Sequence, residues 1–413
     1  MQIRQVKYKP VGTTPPEAYP LLKSSGRLQG RHNMQSFKRL MAATAMALSA
    51  SCWAEPGISD TSITLGMSAP FSGPNSAYGE DMRQTIQSYF EQINKNGGIH
   101  GRKLQLVALD DGYETERTVA NTRSLINEKN AFALLSFYGS SPTTEAMNTV
   151  FGPAKVPLVG TISGAGTLRE PISANPNSRY MFHVRASYAD ETDLLVNQMV
   201  SLGLRNIAVF YQNDGFGKAG LEGVSAALKK HDLAPSAVGT VERNSLDVTS
   251  AVQSIAKANP QAVVMVTLYK PTAAFVRAMK RAGQNPMLMT LSPVGTEQLI
   301  QELGAEARGI GISQVVPYPW NNVTPVVRDY QKVAAKPGSY SYYGLEGYLM
   351  ARTMVEGLRR TGRDLTREKL ISSLESLNNT DLGGYRMNYS PNIRYGSRFV
   401  ELTVIGAGGK VLR

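Results

Sequence analysis

The chain has 413 residues, 42% of them hydrophobic, which is enough for two domains with separate cores. Its net charge of +12 does not come from a basic tract, because residues 1–54 hold eight basic side chains against one acid and the remainder is interspersed with acids. A binding surface for DNA or RNA is therefore excluded.

A segment near the N-terminus has the arrangement of a secretory signal peptide. From Met34 it reads MQSFKRLMAATAMALSASCWAEPG, with two basic residues, an apolar run over 40–50 and a small-residue site ending at Ala54. The apolar run is too short to cross a bilayer as a stable helix. The sequence therefore predicts a signal peptide over residues 34–54 and a periplasmic location for the rest. Residues 1–33 match neither signal nor domain, and we expect translation to start at Met34.

Two other interpretations of this region stay open. One is an amphipathic or disordered N-terminal tail. The other is a lipoprotein acylated at Cys52, which is disfavoured because Ser49 stands where a lipoprotein signal has a large aliphatic residue. Cys52 is the single cysteine, so the body of the protein has no internal disulfide.

From Ile58 onwards, short apolar runs alternate with helical periodicity, which is typical of repeated βα units. The first set predicts strands over 62–68, 103–109, 132–136 and 156–161 and helices over 79–96 and 114–129. The pattern then restarts, with helices over 191–202, 218–230, 247–258 and 272–282 and strands over 206–211, 237–242, 262–268, 287–291 and 309–316. Helices over 323–334, 343–360 and 366–377 precede strands over 385–388 and 397–405. The predicted fold class is α/β, with two Rossmann-like lobes built on parallel sheets.

Patterns for catalysis and metal binding are weak. The four histidines are scattered without the spacing of metal ligands, and no Cys/His cluster exists. Asp110 and Asp111 end a predicted strand before Gly112, where acids commonly serve turns. We predict no metal, no cofactor and no enzymatic activity.

The stretch DGFGKAG at 214–220 contains G-x-G-x-x-G after an apolar run, and Glu242 ends the next predicted strand, as in a dinucleotide fingerprint. In that fingerprint the first glycine directly follows the strand, because the turn must be tight. Here Gln212, Asn213 and Asp214 lengthen the turn, and an exported protein meets little nicotinamide cofactor. An NAD-linked enzyme is therefore a remote alternative. The other interpretation is that the glycines permit a bent entry from strand to helix.

Several stretches resemble the leucine/isoleucine/valine-type, type I periplasmic solute-binding proteins of ABC transporters. They are SAPFSGP at 68–74, Tyr78-Gly79, INKNGGIHG at 93–101, LDD at 109–111, VFYQNDGFGKAG at 209–220 and GSRFVELTVI at 396–405. The resemblance runs from about Ile58 to the C-terminus. It implies two lobes joined by three hinge crossovers, near Arg185, Pro317 and Asn379. One lobe would combine 57–185 with 317–378, and the other 186–316 with 379–413.

The resemblance also implies a ligand site between the lobes. Tyr78, placed just before the first helix, would lie over the ligand. Ser140 and Ser141, after the third strand, and Ser163 and Gly164, in the next loop, would bind a carboxylate.

The second lobe would contribute Phe216 and Tyr269, with Lys270 one residue away in an uncertain register. The family's acid that neutralises a ligand ammonium corresponds to Ser292, which is a departure. A buried ammonium without a countercharge costs several kcal/mol. Either another acid substitutes, with Glu346 as the candidate, or the ligand has no ammonium. We favour the second, a small carboxylate, for which the rings make an aromatic one a candidate.

The resemblance predicts the extracytoplasmic substrate-binding component of an ABC transporter. Hinge closure would capture a small amino acid or related carboxylate, and the closed form would deliver it to permease subunits without a covalent step. The expected partners are this ligand and the permease, with no nucleic acid, and the protein is expected to be a monomer. A sensory ligand-binding protein of the same fold, coupled to a receptor or regulator, stays open.

Overall fold

The computed structural model describes residues 55–334 and 339–413. The predicted signal peptide over residues 34–54 and Cys52 lie outside the described residues. In the part of the chain that is described, no helix combines the length and the apolar character that crossing a membrane requires.

Five parallel strands form the first sheet, in the order β2-β1-β3-β4-β5. They are β1 (Ser62–Ala69), β2 (Lys103–Asp110), β3 (Ala133–Tyr138), β4 (Leu158–Ile162) and β5 (Met181–Phe182). The helices between them are α1 (Ser76–Lys95), α2 (Thr115–Asn127) and α3 (Ser140–Ala146), the last continued by a π-helix at Met147–Phe151. Both β3 and β4 are buried along their whole length, which explains their uninterrupted apolar character.

Seven strands form the second sheet, in the order β14-β13-β10-β9-β8-β6-β7. Its parallel strands are β6 (Ile207–Gln212), β7 (Val238–Val241), β8 (Ala262–Val266), β9 (Met287–Thr290) and β10 (Gly311–Gln314). The helices of this part are α4 (Tyr188–Ser201), α5 (Gly215–Lys229), α6 (Thr249–Lys257), α7 (Tyr269–Arg281) and α8 (Thr296–Leu303). The predicted α/β fold with parallel sheets is confirmed.

The C-terminal quarter returns to the first sheet and then to the second. Its helices are α9 (Pro325–Val333), α10 (Tyr342–Thr361) and α11 (Arg367–Glu375), and α10 packs on α1, β3 and β4. A small pair, β11 (Thr380–Asp381) and β12 (Arg386–Met387), follows, and β13 (Glu401–Ile405) and β14 (Val411–Leu412) join the second sheet antiparallel to their neighbours. We call the first sheet with the helices that pack on it the first lobe, and the second sheet with its helices the second lobe.

Beyond the predicted crossover near Asn379, the chain contacts the end of β5 before it pairs with the second sheet. Tyr395 bridges to His183 directly after β5, and the Tyr389 hydroxyl donates to the His183 carbonyl at 2.9 Å. Pairing with the second sheet begins only at Glu401. The predicted crossovers and lobe boundaries stay a prediction.

Local capping chemistry explains several helix starts. Ser187 and Asp190 form a capping box at the start of α4, and the Ser341 hydroxyl accepts the Gly344 N–H at 2.8 Å to begin α10. Tyr78 is the third residue of α1, because that helix starts at Ser76 and so earlier than predicted.

The acids that end β2 serve turns, as expected from the sequence. Asp110 accepts backbone N–H groups from Phe71 at 2.8 Å and Gly112 at 3.0 Å, and Asp111 accepts one from Tyr113 at 2.9 Å.

Candidate functional site

The carboxyl ends of the two sheets face each other, and direct contacts join the lobes there. The Tyr78 hydroxyl, on α1, donates to the Val294 carbonyl at 2.7 Å and accepts the Tyr269 N–H at 3.3 Å. The Tyr269 hydroxyl, on the first residue of α7, donates to the Pro74 carbonyl at 2.9 Å. Tyr78 and Tyr269 therefore hold the two lobes in contact.

Tyr78 belongs to a buried stack of tyrosine rings. Its ring centroid lies 4.6 Å from that of Tyr343 and 5.7 Å from that of Tyr138, in stacked geometry, while Tyr113 meets Tyr138 edge-on at 5.2 Å. Burial raises the pKa of the Tyr78, Tyr138 and Tyr343 hydroxyls well above the usual range, so they stay neutral. We call these three residues the tyrosine stack. It is an apolar wall that carries neutral hydroxyl groups.

Ser140 and Ser163 meet at the end of the first sheet, although 23 positions separate them in the chain. Their Oγ atoms are 2.7 Å apart, and both side chains are buried. Gly139, with φ of 90°, makes the turn from β3 into α3 that brings Ser140 to this position. The two hydroxyls, which we call the serine pair, offer protons that can turn toward an anion.

Ser141 and Gly164 contact the facing lobe near the serine pair, and Phe216 packs on Tyr188 within the second lobe. The Gly215 N–H donates to Ser141 Oγ at 2.9 Å, and the Tyr188 N–H donates to the Gly164 carbonyl at 2.9 Å. A Cβ at Gly164 would lie 2.5 Å from the Tyr188 backbone, so this approach requires glycine. The Phe216 ring packs on the Tyr188 ring with centroids 5.3 Å apart and is only 2% exposed.

Ser292 lies in a buried charged cluster that sequence reasoning missed. Arg185, 1% exposed, donates through Nη2 to Glu191 Oε1 at 3.0 Å and to the Ser292 hydroxyl. Glu191 Oε2 accepts the Ser292 N–H at 2.9 Å and the Ser313 hydroxyl at 2.7 Å. The predicted site residue Ser292 is thus bonded to an arginine and a glutamate. The neutral Ser292 therefore lies beside one positive and one negative side chain.

Glu346 is the second acid of this cluster. Its Oε1 lies 3.5 Å from Arg185 Nη1 and has no hydrogen-bond partner among the described residues. Burial raises the Glu346 pKa to about 7, against the opposing attraction of Arg185. Glu191 already compensates Arg185 at closer range, so Glu346 is the carboxyl group with free acceptor capacity. When ionised it can receive a cation, and when protonated it can donate to an anion.

The glycine motif has a packing explanation in the structure. Asp214 caps α5, and its Oδ1 accepts the N–H groups of Phe216 at 2.9 Å and Gly217 at 3.2 Å. A Cβ at Gly217 would lie 1.8 Å from the Gln212 carbonyl oxygen, and one at Gly220 would lie 2.3 Å from the Val266 side chain. The opening amides of α5, which would bind a pyrophosphate, are therefore taken by the protein's own carboxylate.

A second set of contacts joins the lobes on the side of the edge strands β2 and β7, through the loops that follow these strands. Arg243, which follows β7, donates to the Tyr113 carbonyl at 3.3 Å and the Thr115 hydroxyl at 3.2 Å, and its Nε lies 3.3 Å from Asp214 Oδ2. Asn75 donates to Asn244 Oδ1 at 3.0 Å. We call Arg243 and Asn244, with the residues they contact, the mouth contacts.

Among the predicted site residues, hydrogen bonds across the lobe contact are formed by Tyr78, Ser141, Gly164 and Tyr269. Ser140 and Ser163 pair at the end of the first sheet, Ser292 joins the Arg185 cluster, and Phe216 packs within the second lobe. Their role in binding a ligand stays a prediction. The structure adds Tyr138, Tyr343, Tyr188 and Arg185, which were not predicted. The sequence did hold a signal for Arg185, which ends the stretch MFHVR at 181–185. Arginine is rarely buried without a partner, so an arginine in this position predicts a nearby acid. No group of three His, Cys, Asp or Glu side chains suited to a metal ion occurs within residues 55–334 and 339–413.

Comparisons with known proteins agree with the family resemblance found in the sequence. The amino acid binding protein of Pseudomonas aeruginosa is 24% identical over 248 residues, which span 59% of this chain and 63% of that relative, less than two thirds of its length. A solved structure of a possible leucine/isoleucine/valine-binding protein from Rhodopirellula baltica SH 1 has a TM-score of 0.80 and 30% identity, covering 86% of this chain and 96% of its own.

A substrate-binding periplasmic protein from Ralstonia solanacearum has a TM-score of 0.78 and 32% identity, covering 84% of this chain and 99% of its own. The periplasmic binding protein family matches residues 62–396, which is most of the chain. The predicted resemblance is confirmed, and the chain belongs to the periplasmic binding protein family.

Proposed function

We propose that this protein is the extracytoplasmic substrate-binding component of an ABC transporter, which captures a small amino acid or related carboxylate between its lobes and delivers it to a permease. The observation that carries the proposal is the buried serine pair, with Oγ atoms 2.7 Å apart, beside a lobe contact lined by tyrosines. Family membership implies the extracytoplasmic location, and the signal peptide over residues 34–54 stays a prediction.

The serine pair and the tyrosine stack suit the two halves of such a ligand. Hydroxyl groups can donate to a carboxylate without the desolvation of a second full charge, and hydrogen bonds to a charged group are stronger than neutral ones. The apolar rings of the tyrosine stack can contact an apolar or aromatic side chain of the ligand. A few polar groups in a mostly apolar contact are typical of small-molecule sites.

The position of Glu346 changes the preferred ligand class. The sequence favoured a ligand without an ammonium, because Ser292 replaces the family's acid. In the structure Arg185 is already compensated by Glu191 at 3.0 Å, so an ionised Glu346 leaves one negative charge in the buried cluster. A ligand ammonium would balance that charge. We therefore propose an amino acid as the ligand, with its ammonium toward Glu346.

Closure would couple binding to transport. Val294, Pro293 and Pro74 of the loops accept hydrogen bonds from tyrosines of the opposite lobe, and these bonds break when the lobes separate. A ligand that bridges the serine pair and the second lobe would favour the closed arrangement by its differential affinity for it. A permease that recognises the closed form would then receive only loaded protein.

A thermal-shift screen tests this proposal. Apolar amino acids are expected to raise the melting temperature, and their des-amino carboxylates to raise it less, since a ligand stabilises by mass action. Ser140→Ala should weaken the affinity for the best amino acid about tenfold to a hundredfold, with exposed Ser201→Ala as the control. Glu346→Gln should weaken amino acids more than des-amino acids.

Two outcomes would contradict ligand capture at this site. One is the absence of a shift with any amino acid or carboxylate, and another is an unchanged affinity in Ser140→Ala. If Glu346→Gln weakened both ligand classes equally, the assignment of the ammonium would be wrong while the cleft assignment would stand. Uptake of the labelled ligand by cells that lack the protein tests delivery separately, and unchanged uptake would remove the transport role.

A further inference from the structure

A cavity of about 340 Å³ lies beside the segments that carry the chain between the lobes. None of the eight predicted site residues lines it. Its walls come from the segment after β4, the start of α4 and the approach to β13. The lining residues are Arg169, Ser187, Asp190, Tyr395, Ser397 and Arg398. A molecule bound here would therefore contact both the first and the last passage of the chain between the lobes.

Arg169 brings a poorly compensated positive charge to this cavity. Its Nη2 donates to the carbonyls of Arg185 at 3.1 Å and Ala186 at 3.2 Å, and its guanidinium lies 5.5 Å from the centroid of the Tyr395 ring. Within the described parts of the chain, no carboxylate forms an ion pair with Arg169, and its buried Nε has no hydrogen-bond partner. Burial, together with repulsion from Arg185, lowers the Arg169 pKa to about 10.

The one acid of the cavity is committed to other groups. Asp190 Oδ2 accepts the Ser187 hydroxyl at 2.6 Å and the Ser187 N–H at 3.1 Å within the capping box. Asp190 Oδ1 accepts Arg398 Nε at 3.0 Å and Nη2 at 2.6 Å. The Arg398 side chain is 82% exposed and can turn. The cavity is lined by two arginines and by one aspartate whose oxygens already accept hydrogen bonds, so its net charge is positive.

We propose that this cavity binds a small oxyanion, a carboxylate or inorganic phosphate, between the guanidinium groups of Arg169 and Arg398. Planar guanidinium donors match oxyanions well, and the anion would supply the countercharge that Arg169 lacks. Arg169 holds the backbone of Arg185 and Ala186, and Arg398 precedes β13, so a bridging anion would tie the first passage to the last. It would thereby stabilise the arrangement in which the lobes touch, as a regulator distinct from the transported ligand.

Anion titration of the purified protein tests the site. Sodium phosphate and sodium acetate are added in separate series at constant ionic strength, balanced with sodium chloride, and the melting temperature is measured. At ten times the dissociation constant we expect a saturable rise of about 2 °C. A rise with phosphate alone assigns a phosphate ligand, and a rise with acetate alone assigns a carboxylate.

Variants locate the effect. Arg398→Glu should abolish the rise, because it removes one of the two guanidinium groups at a side chain that is 82% exposed. Arg413→Glu is the matched control, because that arginine is 51% exposed and pairs with Glu401 away from the cavity, and it should keep the rise. Ser140→Ala should also keep the rise, which separates this site from the cleft.

Arg169→Gln should abolish the rise if the variant folds, and Arg398→Glu decides the matter if it does not. The proposal would be overturned by a rise of equal size in Arg398→Glu. It would also be overturned by a rise that grows without saturation and equally for both salts. The cleft function does not depend on either outcome.

Discussion

The contact between the lobes has a buried ion pair on one side and a partly exposed ion pair on the other. Next to β5, Arg185 and Glu191 are 1% and 0% exposed, so water screens their attraction little. At the opposite edge, Arg243 of the mouth contacts is 22% exposed and its partner Glu114 is 46% exposed. Buried pairs are costly to break and exposed pairs are cheap. From this comparison we predict that the mouth contacts break more easily than the buried cluster when the lobes separate.

The largest expected effect comes from breaking the buried side. Glu191→Ala would leave Arg185 buried with only Glu346 as a countercharge, at 3.5 Å. We expect the free energy of unfolding to fall by about 3–5 kcal/mol in urea denaturation of the ligand-free protein. Asp193→Ala on the same helix is the control, because its pair with Lys230 is exposed, and it should change stability by less than about 1 kcal/mol. Equal losses in the two variants would contradict the distinction.

An intermediate effect is expected at Glu297, which lies between the two sides. Its Oε1 accepts the Tyr342 N–H of the first lobe at 3.1 Å, and its buried Oε2 has no hydrogen-bond partner among the described residues. Burial raises the Glu297 pKa to about 7, and nearby Asp81, itself raised to about 6 by burial, adds repulsion. Tyr342 and Tyr330 face this contact as neutral groups, since burial raises the pKa of each.

The sign of the pH dependence follows from these raised pKa values. A carboxyl group whose pKa is higher in the folded state stabilises it below the unfolded pKa, and that stability is lost as the pH rises to about 7. We expect Glu297→Gln to match the wild type at pH 4.5 and to exceed it by about 1–3 kcal/mol at pH 7.5. Urea denaturation at both pH values measures this, with Glu302→Gln on the same helix as the control. A variant less stable than the wild type at pH 7.5 would refute the prediction.

The smallest effect is expected at the mouth. Arg243→Ala removes the bonds to Tyr113 and Thr115 that join the lobes, but these are partly screened by water. We expect the proposed amino acid ligand to dissociate about two- to fivefold faster, more so at low salt, with little change in melting temperature. Stopped-flow displacement measures the rate. Arg277→Ala, in an ion-pair network on the second lobe, should leave it unchanged. An unaltered rate in Arg243→Ala would mean that the mouth does not limit release.

Local sequence patterns predicted most of the strands, because parallel strands buried on both faces are apolar runs. The run AVVMVTL predicted a strand over 262–268, and the structure has β8 at Ala262–Val266. Two short helices were missed. The helix α3 reads SSPTTEA, which has no apolar periodicity, and α8 at Thr296–Leu303 has only eight residues. Short helices carry too little pattern to be distinguished from loops.

The candidate site was predictable only in part, and that part came from the family resemblance. Ser140 and Ser163 follow consecutive strands of one sheet, so their meeting follows from parallel order. Tyr343 lies on α10, far along the chain, and nothing near it in the sequence indicates its contact with Tyr78. Phe216, predicted as a site residue, packs on Tyr188, so its truncation would also disturb packing.

By itself, the sequence determined the βα repeat, the fold class and the family, because apolar periodicity and turn glycines act over a few neighbouring residues. Only the tertiary structure decided which charges are compensated. Arg185 and Glu191 are six residues apart, but Glu346 comes from α10, far along the chain, and the distances among the three side chains set the charge balance of the buried cluster. Coulomb energies depend on separation and burial in space, neither of which is encoded in the order of residues along the chain.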